Sequence, residues 1–79
     1  MTNNTASAET ITFGDLKPGH HIFRARPDFP EGTVWVIVTA KPAGTPGWVR
    51  YTYTLPAKPE AGILRGVAEA SVELVRVVA

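Results

Sequence analysis

Seven glycines and seven prolines are spread through a chain of only 79 residues. Proline fixes φ and removes a backbone donor, and glycine adds backbone entropy, so both interrupt helices. Little room is left for a long helix. Between these breakers lie short runs rich in valine and threonine, side chains that suit a pleated, half-buried strand. The expected fold is all-β, assembled from short antiparallel strands.

Alternation places the strands. In residues 10–13, Ile11 and Phe13 share a face. Asp15-Leu16-Lys17-Pro18-Gly19 then turns the chain, with Pro18 presetting φ and Gly19 free to take positive φ. Leu16 is expected to fold back as a plug over the end of the core. Residues 20–26 form the next strand, around Ile22 and Phe23. In residues 33–40, Val34, Val36 and Val38 lie on one face and Trp35 and Ile37 on the other. Both faces are apolar, so cover on both sides is expected. Residues 48–55 alternate cleanly: Val49, Tyr51, Tyr53 and Leu55 face in, and Trp48, Arg50, Thr52 and Thr54 face out. Residues 62–68 form a weaker strand. Residues 72–78 break alternation, because Val72, Leu74 and Arg76 share one parity and Val75 and Val77 the other. A bulge near Leu74 and Val75 would return the valines to the core. Cover on both faces is a second solution, and a helix is disfavoured by the β-branched valines.

Residues 1–8 hold no large apolar side chain after Met1 and read as a disordered tail, with one domain over residues 9–79. A domain of this size buries roughly 60–65% of its unfolded surface, so its core is thin. There is no cysteine, hence no disulfide and no thiolate metal cage. That composition fits a reducing cytoplasm, the expected location. No apolar run approaches the ~20 residues that span a bilayer. The net charge of +1 is lower than a dedicated nucleic-acid binder usually carries.

Strand, proline turn, strand, loop, long hairpin and closing strands make a small meander barrel of five or six antiparallel strands. The segments 15–19, 48–54 and 69–78 resemble short uncharacterised proteins of actinobacteria and their phages. Those proteins open on an aspartate-leucine-x-proline-glycine turn and close with an acidic turn before a valine-rich strand. The resemblance covers most of residues 10–78. It implies an SH3-like barrel and a phage or prophage origin, and no activity. His20 and His21 depart from the pattern, in which a charged residue follows the glycine.

Catalytic constellations are missing from the sequence. The two histidines are strand neighbours and point to opposite faces, so they do not chelate one ion together. His21 shares parity with Phe23, where partial burial is expected. The carboxylates are scattered over turns, Ser71 sits in no triad pattern, and the glycines near Gly44 precede a strand rather than a helix. No enzyme, cofactor or metal site is expected. Two binding readings follow. Trp35, Ile37, Val75 and Val77 offer more apolar surface than so small a barrel covers, which suits a protein partner or a homodimer. The second reading is a nucleic-acid-binding barrel. It uses Arg24, Arg26, Trp48 and Arg50, because arginines beside exposed aromatics suit phosphates and stacked bases.

Overall fold

A computed structural model describes residues 7–78. The valine- and threonine-rich runs form six strands: β1 (Ser7–Thr12), β2 (His21–Arg26), β3 (Phe29–Pro42), β4 (Trp48–Thr54), β5 (Leu64–Glu69) and β6 (Glu73–Val78). All pair antiparallel in one open sheet of order β1-β6-β2-β3-β4-β5. The chain is all-β and barrel-like, apart from two single-turn 3₁₀ helices at Phe13–Asp15 and Pro59–Ala61. Of the expected tail, residues 1–6 lie outside the described residues, while Ser7 and Ala8 pair with Val78 and Val77 within β1.

The sheet curls. β5 lies at one edge and β6 beside the other, yet residues 70–72 alone join them. The first 3₁₀ turn fastens this end. Phe13 N–H donates to the Val72 carbonyl at 3.0 Å and Gly14 N–H to the Ala70 carbonyl at 3.0 Å. Ala70 N–H in turn donates to the Gly47 carbonyl at 2.8 Å, tying in the β3–β4 hairpin. Thr12 N–H and Oγ1 both donate to an Asp15 carboxylate oxygen at 3.0 Å, which caps that turn. The Pro18-Gly19 turn forms as the sequence implies, with Gly19 at φ 90°.

The concave face carries the core: Phe13, Leu16, Ile22, Trp35, Ile37, Val49, Tyr51, Tyr53, Leu55 and Leu74. Leu16 is the plug expected of it, and the inward set of β4 is the expected one. One reading is corrected. β6 runs in unbroken register with both β1 and β2, so it holds no bulge at Leu74 or Val75. Leu74 and Arg76 point inward, and Val75 and Val77 point outward. Arg76 is tolerated inside because its guanidinium donates to Glu9 at 2.8 Å across the strand pair. Within a single chain β3 is fully covered on one face and partly on the other. Trp35 and Ile37 are buried, whereas Val38 is exposed and Val34 and Val36 are half-buried.

β3 is the irregular strand instead, and its pairing with β2 shifts between Arg24 and Arg26. Its register against β4 shifts between Ile37 and Thr39. One extra residue there reverses the parity that follows. Ile37 faces Tyr53 on the inner side, whereas Thr39 pairs with Thr52 and Lys41 with Arg50 on the outer side.

Candidate interaction surface

The inner face joins aromatic rings to arginines. Trp35 stacks on Tyr53 with centroids 4.2 Å apart and planes 12° from parallel. Tyr51 lies 5.7 Å from Tyr53 and 5.1 Å from Phe13. Gly66 makes room for Tyr51, its partner across β4 and β5. A Cβ on that glycine would stand 2.3 Å from the ring. Burial, and then the neighbouring Tyr53, raises the Tyr51 pKa.

Arg24 and Arg26 share the inward parity of Ile22. The Arg24 guanidinium lies 5.1 Å from the Phe13 centroid. That of Arg26 lies 5.8 Å from Trp35 and 5.7 Å from Tyr53, donates to the Tyr53 hydroxyl, and pairs with Asp28 at 2.9 Å. Lys58 joins the same carboxylate at 3.3 Å. These arginines cover the rim of the core through cation–π contacts and are engaged within the fold. They are not on the outer face with Trp48 and Arg50, where a nucleic-acid surface would need them. Trp35, at 5% exposure, and Ile37, at 1%, are core residues and present nothing to a partner.

The outer face divides into two halves. The first is apolar. Register aligns Thr10, Val75, Phe23 and Val34 in one row across β1, β6, β2 and β3. Ala8, Val77, His21 and Val36 form the next row. Phe23 is 43% exposed and Val75 44%. The Phe23 ring packs against Gly32, where a Cβ would meet it at 2.4 Å. So Val75 and Val77 do lie on an accessible apolar face, but Phe23 and Val34 complete it instead of Trp35 and Ile37. Parity held this signal, because Phe23 follows the core residue Ile22 and must face the other way.

The second half is basic. Lys41 and Arg50 stand opposite each other, and Arg65 is paired with Thr52 on the neighbouring strand. Trp48, 38% exposed, is on the same face of β4 as Arg50. Lys41 joins this face only because of the β3 irregularity, which strict alternation does not reveal.

His20 rather than His21 is the half-buried histidine. Its Nδ1 accepts from the Lys17 N–H at 3.3 Å. Burial lowers its pKa, helped by the Arg76 and Lys17 charges. Among the described residues, no group of three or more His, Cys, Asp or Glu side chains is placed to hold a metal ion. No helix among them is long and apolar enough to cross a membrane. Comparison with protein-family models, curated proteins and solved structures found no match.

Proposed function

We propose that the protein is a non-catalytic binding protein that works through the apolar half of its outer sheet face, and that the occupant of that face is a second copy of the chain. The observation that carries this reading is the row Val75, Phe23 and Val34, held in register across three adjacent strands, with Val75 and Phe23 exposed and Val34 half-buried. Water-exposed apolar rows of this kind mark association surfaces. The row is self-complementary. A two-fold axis through Phe23 and along the strands stacks that ring on its copy and lays β6 of one protomer over β3 of the other. Val75 then meets Val34 in both halves of the contact, as an isologous interface requires. Face-to-face sheets pack about 10 Å apart, a spacing that these side chains fill. A thin core gains most from such cover.

The strand order also supports an SH3-like barrel. β2 to β5 form a meander, β6 returns beside β2, and β1 adds an edge strand.

Light scattering across a concentration series tests the proposal. Wild type is expected to approach twice the monomer mass, and Val75→Glu to remain at the 8.5 kDa of one chain with an unchanged far-UV spectrum. Monomeric wild type at the highest concentration would refute self-association through this face.

A further inference from the structure

The basic half of the outer face differs in its chemistry from the apolar half. We propose that Lys41, Arg50 and Arg65 form a phosphate-contacting groove for single-stranded nucleic acid, with Trp48 as the stacking platform for a base.

The charges come first. Lys41 and Arg50 are direct cross-strand partners. Like charges so placed repel. Arg65 sits diagonally from Arg50, since Arg50 pairs with Val67 and Thr52 with Arg65. Such diagonal neighbours lie about 7–8 Å apart, within reach of long side chains. Three of the eight cations of the chain are therefore gathered on three adjacent strands. None of them enters an ion pair among the described residues, whereas Arg26, Lys58 and Arg76 all do. A bound polyanion relieves this repulsion.

The shape comes second. Lys41, Arg50 and Arg65, with Thr39 and Thr52, line a hollow of ≈ 230 Å³. The two threonine hydroxyls in its lining are 2.6 Å apart and add polar groups that suit phosphate oxygens. A second hollow of ≈ 500 Å³ adjoins it, lined by Ala43, Gly44, Thr45, Trp48, Arg50 and Val67. Arg50 lines both, so the two hollows adjoin across its side chain. One end of the groove is cationic and the other holds an accessible indole.

An aromatic platform beside unpaired arginines selects among polyanions. An acidic peptide satisfies the cations but has no use for Trp48, whereas a single strand uses both, its phosphates on the cations and a base on the ring. Duplex DNA keeps its bases stacked away from such a platform. Glu69, the cross-strand partner of Trp48, borders the groove at the ring end, where a base rather than a phosphate sits. The groove is independent of the proposed dimer. Lys41 is seven residues from Val34, roughly 20 Å along β3 at strand rise.

The test uses the full chain and a dye-labelled oligothymidylate of about 15 nucleotides at low salt. Anisotropy is expected to rise on binding while tryptophan emission falls. Three phosphate contacts give a log–log salt dependence of about −2 for a single strand. Arg50→Gln is expected to lower its magnitude by about 0.7, and Lys41→Gln/Arg50→Gln to weaken binding by about tenfold or more. Both variants remove repulsion, so their urea midpoints stay level or rise, which separates lost binding from lost folding. Trp48→Phe abolishes the quenching, because buried Trp35 does not report. Val75→Glu retains binding whatever its oligomeric state. Unchanged affinity and salt slope in Lys41→Gln/Arg50→Gln would overturn the proposal. So would an absence of binding at about 20 mM salt. Polyglutamate competing as strongly as the oligonucleotide, without quenching, would overturn it in favour of an acidic-polymer site.

Discussion

Replacing Gly66 with alanine isolates the packing of the aromatic core from every other property of the chain. Gly66 lies in β5 without a positive φ, so alanine meets no backbone strain there. What it meets is Tyr51. The new Cβ would stand 2.3 Å from Cζ and 2.4 Å from the hydroxyl oxygen. Ordinary carbon contacts are about 3.5–4.0 Å, so the ring must shift by more than about 1 Å. It has nowhere to go, with Phe13 at 5.1 Å, Tyr53 at 5.7 Å and Trp35 at 6.5 Å between ring centres. Overpacking of this kind costs about 1–3 kcal/mol. Loss of glycine entropy from the unfolded chain returns about 0.4–1 kcal/mol. The expected net loss is about 1–2 kcal/mol, a fall in Tm of about 5–15 °C for a domain this small. Urea and thermal unfolding followed by far-UV circular dichroism, at one fixed protein concentration, measure it. Gly44→Ala is the control, because a Cβ there meets nothing within 4 Å and the backbone is compatible. It should be neutral or slightly stabilising. Gly66→Ala as stable as wild type would refute the reasoning that Tyr51 is locked between the rings and that glycine.

Three further outcomes follow from the same packing. Ile22→Ala, at a fully buried position on the central strand β2, should cost about 2–5 kcal/mol in urea unfolding, through lost burial and a residual cavity. Gly32→Ala combines φ +97° with a clash against Phe23, so it should destabilise by about 1–3 kcal/mol and weaken self-association, read together by thermal melts and light scattering. Stability should fall as the solution is acidified, in two windows. Burial depresses the pKa of His20, so the unfolded state binds that proton more readily and stability drops as pH falls below the ordinary histidine value of about 6.5. The Thr12 hydrogen bonds, first backbone and then side chain, depress the pKa of Asp15, so that contribution is present above 3.8 and lost as pH falls through the lower folded value. Urea midpoints measured against pH, with His20→Gln and Asp15→Asn each flattening its own window, check both.

Most of the strand framework was legible, because glycine and proline mark the turns and alternation marks the faces. β4 reads directly, since its inward residues are large and its outward residues polar. β3 and β6 did not, for a shared physical reason. Their outward positions are also apolar, so alternation of hydrophobicity disappears and parity alone cannot say which face is the core. Trp35 and Ile37 were therefore expected at a surface that in fact belongs to Phe23 and Val75. Arg24 and Arg26 misled in the opposite way. Arginine at an inward position looks external until the aromatic rings that accept it are seen in three dimensions. The approach of Lys41 and Arg65 to Arg50 depends on a register shift and a non-local pairing, neither of which leaves a local signal.

The central claim is that the outer face around Phe23 is where two copies of the chain meet. Methyl NMR over a dilution series reads that face residue by residue. Resonances of Val34, Val75 and Val77 should move with protein concentration, while those of the core residues Ile22 and Leu74 stay fixed. Concentration-independent shifts at Val34 and Val75, or movement confined to other surfaces, would contradict the account.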